Sequence, residues 1–403
     1  MKRLSPIQPQ LLSRINERLV MRMIRENGPS TRAEMSKSIG ITFPTVNKAV
    51  SSLLNSKLLE EVEDSPSGPG RPAKRLHLAT QDSQVIGVTL SDTECVVASA
   101  GLDNEIAEGC SITFDTPATY DALLIKITSS ARELMKQGGR NTLCVGISVP
   151  GIVDYQDQKA ILSANLPMLN GKWIGSDLQS LLGIECLIIR DAHAFSLSER
   201  LHHRLGDAAS NVAMLDHSEG IGLGLTVNNQ FLTGNNGFAG ELGHVVVVPN
   251  GETCNCGKRG CLETVASEWA LELKTSKALG RDVHLNEILD LAKSGDKKVL
   301  KELEQMCDYL AFGVACVVNI FNPGIFYIYG RCFRELPGLL DMLVEKSKPH
   351  TLAPSFAACT FAHASGGELD GTIASVINYL TDSLVPNLDR FVGVSRASDN
   401  GEN

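Results

Sequence analysis

The sequence predicts an α/β body preceded by a small, mainly helical head. From Ser83 onward short apolar strands alternate with helices, whereas the first eighty residues read as three helices and a β-hairpin. At 403 residues the chain exceeds one ordinary core and calls for two or three domains. Charge divides at the same place: the net charge of −9 splits into +6 over residues 1–80 and −15 over the rest. A basic head on an acidic body implies that only the head meets a polyanion.

With 43% apolar and 21% charged residues, the chain is expected to fold as a soluble globular protein. No apolar run follows MKRLSPIQPQ, so no signal peptide is expected and the expected compartment is the cytoplasm. The longest charge-poor stretch, residues 310–330, is interrupted by Asn319, Asn322, Pro323 and Gly324. A buried helix, a turn and a buried strand fit it better than a membrane span. Eleven cysteines without a secretory signal argue against a disulfide framework. Eight of them, including Cys95, Cys144, Cys316 and Cys332, stand singly in apolar surroundings and read as small core residues.

In residues 11–26, Leu12, Ile15, Leu19, Met23 and Ile24 fall on one helical face, and Asn27-Gly28-Pro29 stops the helix. Thr31-Arg32-Ala33-Glu34 is a capping box, in which the Thr31 hydroxyl takes an orphan N–H and Glu34 reaches back. A short helix to Ser38, a turn at Ile39-Gly40-Ile41 and a third helix from Thr42 to about Leu54 complete a helix-turn-helix pattern. The third helix buries Phe43, Val46, Val50 and Leu53 in this reading, which turns Thr45, Asn47, Lys48 and Ser51 outward. With Thr42, these small polar and basic groups suit the major groove of double-stranded DNA. LLEEVED and SGPGRPAKRLHL follow as a hairpin wing, its narrow tip carrying Arg71 toward a minor groove. A three-helix protein-interaction module is the bland alternative.

In the body, SQVIGVTLSD, TECVVASAGL and EGCSITFD read as three strands of a meander. TYDALLIKITSSARELMKQ is an amphipathic helix, and TLCVGISVPG a buried strand ending in a Pro-Gly turn. CLIIRDAHAFSLSE is a strand leading into a helix with Asp191 at the join, and NVAMLDHSEGIGLGLTVNNQ a hairpin around a glycine-rich turn. Functional groups are expected on the loops at strand ends.

Residues 244–263, HVVVVPNGETCNCGKRGCLE, carry the spacing His-x9-Cys-x-Cys-x4-Cys. His244, Cys254, Cys256 and Cys261 make a Cys3His set, the ligand type of a closed structural zinc (Zn2+) site with no open position for hydrolysis. Gly257 and Gly260 allow the tight turn that aims the sulfurs inward. Glu241 and Glu263 flank this knuckle, so holding His244 would set both carboxylates on a pocket wall.

Pro150-Gly151, the strand-end Asp191, and GFAGELGH followed by CNCGKRGCLE together resemble the ROK family (repressors, open reading frames, kinases) from about residue 12 to 390. The resemblance implies a two-lobed sugar-kinase fold of the actin/hexokinase type with ribonuclease H-like lobes. Its sugar-responsive repressor branch carries an N-terminal winged helix-turn-helix with a Gly-Arg-Pro wing, as here. It implies a sugar pocket built on Asn165, Asp191, Glu241, His244 and Glu263, residue types that trade hydrogen bonds with a polyol. The implied organisation is a DNA-binding head at 1–80, a first lobe at 81–190 and a second lobe at 191–390. The last helix returns to the first lobe, and a disordered tail follows at 391–403.

The chain departs from the kinase pattern at three phosphate-facing places. Asp-x-Gly-Gly-Thr is replaced by Thr89-Leu90-Ser91-Asp92-Thr93. Gly-Thr-Gly-x-Gly-Gly-Gly becomes Ser218-Glu219-Gly220-Ile221-Gly222-Leu223-Gly224, and a Gly-Gly pair becomes Gly330-Arg331. Asp92 and Glu219 would repel a nucleotide's phosphates. Asn-Asp-Ala-Asn becomes Arg190-Asp191-Ala192-His193. The expectation is a non-enzymatic regulator of carbohydrate metabolism: a dimer or tetramer that binds an operator and a sugar effector, with no membrane partner. An ATP-dependent sugar kinase with a DNA-binding head is the alternative.

Overall fold

A computed structural model describes residues 9–63, 74–202, 210–228, 230–235 and 237–382. The head begins with α1 (Pro9–Asn27), α2 (Arg32–Ile39) and α3 (Phe43–Asn55). The capping box forms as expected: Thr31 N–H donates to Glu34 at 2.8 Å, and Glu34 N–H to the Thr31 hydroxyl at 3.3 Å. Gly40 (φ 74°) closes α2 in the left-handed region, the conformation that makes the sharp turn into α3 possible. Strands β1 (Leu59–Glu63) and β2 (Lys74–Leu78) pair antiparallel from Leu59↔Leu78 to Glu63↔Lys74. The wing's tip, with Arg71, lies outside the described residues.

Two head expectations change. The buried apolar side chains of α1 are Val20, Met21, Met23 and Ile24, while Leu12 (47%), Ile15 (37%) and Leu19 (36%) stay exposed. Only the C-terminal half of this helix packs into the core, so the expected stripe is half used. Phe43 is likewise 50% exposed: it opens α3 at the turn, and Ala49 takes its place beside Val46, Val50 and Leu53 in the core.

The body holds two five-stranded sheets of the same order. In the first, β3 (Ser83–Leu90), β4 (Glu94–Ala100) and β5 (Ser111–Asp115) form the meander; β6 (Asn141–Val149) and β9 (Cys186–Arg190) extend it parallel to β3. Helix α4 (Tyr120–Lys136), capped by the Thr119 hydroxyl, buries Leu123, Ile127, Ala131 and Leu134. The short hairpin β7 (Ile152–Asp154) and β8 (Lys159–Leu162) and helix α5 (Ile174–Leu182) sit between β6 and β9. Helix α6 (Asp191–His202) then leads into the second half.

There β10 (Val212–His217), β11 (Ile221–Val227) and β12 (Gln230–Phe231) form a second meander. Helices α7 (Glu263–Ala266), α8 (Glu268–Leu279), α9 (Leu285–Lys293) and α10 (Lys297–Phe321) precede β13 (Ile325–Tyr329). Helices α11 (Arg331–Glu335), α12 (Leu339–Ser347) and α13 (Ala353–Ala357) follow, then β14 (Thr360–His363). Strands β10, β13 and β14 run parallel, so the order β12-β11-β10-β13-β14 repeats β5-β4-β3-β6-β9. This duplicated meander-plus-parallel order is the two-lobed sugar-kinase architecture.

Residues 310–330 do form a helix, a turn and a strand. Helix α10 is long and apolar enough to cross a membrane, yet it buries Leu303, Met306, Leu310, Val314 and Val318 in the second half's core. Asn322 (φ 44°) ends it in the left-handed region. Cys316 is exposed on this helix and Cys110 is half-buried, so these two are not core residues; their single, unclustered positions gave no sign of which helix face or loop would carry them.

The last helix, α14 (Glu368–Asp382), lies across β3 and β6 of the first sheet. Ile373, Val376 and Ile377 share one core with Val85, Ala100 and Cys144, and with Val20, Met21 and Leu53 of the head. Glycine makes that packing possible: a Cβ on Gly146 would fall 2.3 Å from Val376, and one on Gly371 would fall 1.7 Å from the Ala194 carbonyl oxygen in α6. At its far end, Arg25 of α1 donates to the Thr381 hydroxyl at 3.2 Å. The expected tail at 391–403 lies outside the described residues.

Candidate sugar pocket and zinc knuckle

The Cys3His set assembles. The ligand atoms of His244, Cys254, Cys256 and Cys261 all lie within 4.8 Å of one another. Cys256 and Cys261 sulfurs are 3.7 Å apart, and Cys254 sulfur is 3.6 Å from His244 Nδ1. A zinc with bonds of about 2.3 Å to sulfur spans tetrahedral edges of roughly 3.8 Å, so these separations fit that ion. Burial pushes the Cys254 thiol above its ordinary range; a cation beside it would release that proton.

The knuckle touches the pocket through two of its neighbours. His244 presents Nδ1 to Cys254 and Nε2 to Glu241 Oε2 at 3.8 Å. Glu263, opening α7, has Oε1 3.7 Å from Cys254 sulfur and accepts the Ile221 N–H at 3.3 Å through Oε2. Asn165, in the loop after β8, meets Glu263 at Gly220: a Cβ there would lie 2.8 Å from Glu263 Oε2 and 3.5 Å from Asn165 Nδ2. Asp191 starts α6 and accepts from Ala192 N–H at 2.7 Å, as a helix-opening carboxylate does. Burial pushes it up to about 6 against the opposing pull of Arg190. Asn165, Glu263, His244 and Glu241 are thus joined in one run of neighbours, and Asp191 is close enough to Glu241 for that charge to raise it further.

Arg190 also belongs here, although its replacement of an asparagine registers in the sequence only as a departure. Its guanidinium is 3% exposed and donates to Glu241 and to the Ala239 carbonyl. Tyr155, from the β7–β8 hairpin, stacks on His193, which stacks on Phe231 of the other half. The Tyr155 hydroxyl is 2.5 Å from His193 Nδ1, and burial holds that imidazole neutral, down to about 3. Buried carboxyls complete the cleft. Asp216 at the end of β10 is raised by burial and by Asp191, and Glu368 at the start of α14 is raised to about 8 by burial and by Asp191.

The two meander turns face each other across the cleft. Glu219, in the β10–β11 turn, hydrogen-bonds to Asp92 in the β3–β4 turn; burial and that carboxyl neighbour push it up to about 8. Two acids in contact share a proton and repel any phosphate placed between them.

On α3 and at its start, Thr42, Asn47, Lys48 and Ser51 are exposed and Thr45 is half-buried. The Thr42 hydroxyl bonds to that of Thr45 at 2.8 Å and makes no cap hydrogen bond to the backbone.

Residues 85–376 match the ROK family. The xylose repressor of Bacillus spizizenii is 28% identical over 340 residues, spanning 82% of this chain and 86% of its own length. The glucokinase of Thermotoga maritima is 31% identical over 289 residues, spanning 68% and 89%. The fold superposes on a ROK family transcriptional regulator, a homolog of the E. coli MLC protein, with a TM-score of 0.79 at 22% identity, covering 93% of this chain and 98% of that one. A family match across most of the body, joined to a two-lobed fold with a Cys3His knuckle on its cleft, places the chain in the ROK family.

Proposed function

We propose that this chain is a sugar-responsive, sequence-specific DNA-binding regulator of the repressor type, and not a kinase. Residues 1–80 act as the DNA-binding head, and 81–190 and 191–390 as lobes that close on a sugar. Asn165, Asp191, Glu241, His244 and Glu263 hold the sugar, and a structural zinc on His244, Cys254, Cys256 and Cys261 aims His244 and the two glutamates. Thr42, Thr45, Asn47, Lys48, Ser51 and Arg71 face the operator. The protein works in the cytoplasm as a dimer or tetramer, since paired heads match a palindromic site.

The observation that carries this reading is the path of α14. It starts at Glu368 in the cleft, crosses α6, whose first residue is Asp191, and ends at Thr381 against Arg25 of the head. A sugar that favours one lobe arrangement shifts α14 and with it the geometry of the heads, which is linkage between two sites. Similarity to the xylose repressor supports the regulatory reading, and the carboxylates at Asp92 and Glu219 support loss of nucleotide binding.

Selection of genomic fragments by the full chain at physiological salt, with sequencing of what is retained, tests the DNA half. Enriched inverted repeats are expected; uniform weak retention would sink it. Sugars nominated by neighbouring genes should then release the protein, and Glu241→Ala should abolish that release while leaving operator binding within about twofold. Retained release in that variant would remove Glu241 from the pocket. Similarity to a glucokinase favours the kinase as second reading; sugar-dependent ATP consumption by the purified chain would establish it.

A further inference from the structure

A second group of metal-type ligands lies buried in the second half, away from the knuckle. His217 ends β10, Glu268 begins α8 and Cys332 lies in the first turn of α11. A ring nitrogen, a carboxylate oxygen and the sulfur from these three lie within 4.8 Å of one another. His217 and Cys332 are fully buried and Glu268 is 8% exposed.

Two atoms in this cluster lack partners. His217 Nε2 is 2.8 Å from the Ala266 carbonyl and must donate to it, which leaves Nδ1 with a lone pair. Among the described residues neither Nδ1 nor Glu268 Oε1 has a hydrogen-bond partner, and both are buried. A bare buried group of this kind is costly unless something satisfies it. The rest of the surroundings is firmly held. The backbone of Arg331 and Cys332 lies close enough to the Glu268 carboxylate to favour its charged form, and Glu268 N–H donates to Ser218 carbonyl at 3.0 Å. Phe333 sets its ring edge-on against His217, with centroids 5.2 Å apart. A lone pair, a carboxylate and a sulfur in one water-poor place form a donor set, and nothing in the sugar pocket uses it.

We propose that His217, Glu268 and Cys332 bind a second divalent transition-metal ion of the zinc class. Imidazole, carboxylate and thiolate are its common ligands. Charge closes as well: the thiol gives up its proton on binding, and one thiolate with one carboxylate neutralises a divalent ion, which a buried site requires. The ion pins the end of β10, the start of α8 and the start of α11 together. Those elements flank Glu219 and Gly330-Arg331, two of the places where the chain departs from the kinase pattern, so the metal braces a region that no nucleotide orders. The site is independent of the sugar and DNA assignments.

The test is metal content per chain, measured on the full-length protein refolded with zinc and dialysed free of excess. Two zinc ions are expected for the wild-type chain, and one each for Glu268→Gln, Cys332→Ala and Cys256→Ser. Refolding with cobalt should leave a single-thiolate charge-transfer band in Cys256→Ser that Cys332→Ala lacks. One ion in the wild type, lost in Cys256→Ser and kept in Glu268→Gln and Cys332→Ala, overturns the proposal. So do two ions that both survive Glu268→Gln and Cys332→Ala. One ion lost only in Glu268→Gln and Cys332→Ala upholds this site and removes the knuckle. Glu268→Gln is isosteric, and the wild-type count decides even if Cys332→Ala fails to fold.

Discussion

Arg190 and Glu241 show how one substitution reshapes a pocket. A glutamate aimed at a polyol is free to accept hydroxyls, but here it already holds a guanidinium that is 3% exposed. Removing one partner of such a pair strands the other, whereas removing both strands neither. Arg190→Ala should therefore lower stability by about 2–3 kcal/mol, somewhat below the range for a fully buried pair, because Glu241 keeps a quarter of its side chain exposed. The double variant Arg190→Ala with Glu241→Ala should cost less than Arg190→Ala alone. Denaturant midpoints of the three proteins check this, and a double variant worse than the single one would mean that the pair is not coupled.

Two elements reach from Asp191 and Glu368 toward the head, and their crossing is sensitive to single atoms. Helices α6 and α14 cross at Gly371, where an added Cβ would meet backbone at 1.7 Å and no side chain could give way. Gly371→Ala should destabilise by about 3 kcal/mol or more, at the upper end of overpacking costs. Thermal melts would show it as a large fall in midpoint; a change of a degree or two would mean that the crossing is looser than drawn. In the head, α3 presents Lys48 with no acid anchoring it in the described structure. If Lys48 meets a phosphate, Lys48→Ala should weaken binding to all sequences alike and reduce the slope of log affinity against log salt by about 1. A loss confined to one base position would assign it to base reading.

The whole molecule holds an unusual reserve of protonated acids. Asp191, Glu368 and Glu219 are pushed up to about 6, 8 and 8, mainly by burial. In the unfolded chain these groups titrate near 4 to 4.5. Between about pH 6.5 and pH 8 the folded chain therefore binds more protons than the unfolded one, and stability falls as pH rises; below that range the buried imidazoles of His193 and His217, pushed down to about 3 and 4, oppose the trend. Glu61, Glu287 and Glu335 shift the other way, but their contribution is lost only below the ordinary carboxylate range. The melting temperature should be higher at pH 6.5 than at pH 8, and Glu368→Gln should flatten that slope. Equal melting temperatures at the two values would refute it. The Asp92–Glu219 contact adds a local form of the same effect, since raising the pH sets a charge on Glu219 beside another carboxyl. Glu219→Gln should flatten the pH slope as Glu368→Gln does, read in the same melts.

Much of this was readable from short stretches because the information is local. The capping box at Thr31 and Glu34, the left-handed Gly40 and the spacing from His244 to Cys261 are settled within a dozen or so residues by caps, turns and ligand reach. The meander after Ser83 and the strand-end Asp191 follow from a two-residue period and its abrupt stop. The sequence by itself thus determined the elements of the head, the first sheet's meander and the clustering of the knuckle's ligand set. The tertiary structure decided what those residues meet. Glu241 finds Arg190 fifty-one positions away, Asp92 finds Glu219 from the opposite sheet, and Glu368 reaches the cleft from the end of the chain. It also decided that Leu12, Ile15, Leu19, Phe43 and Cys316 stay outside the core. Periodicity says which residues share a face, but only the packing of distant elements says whether that face is covered.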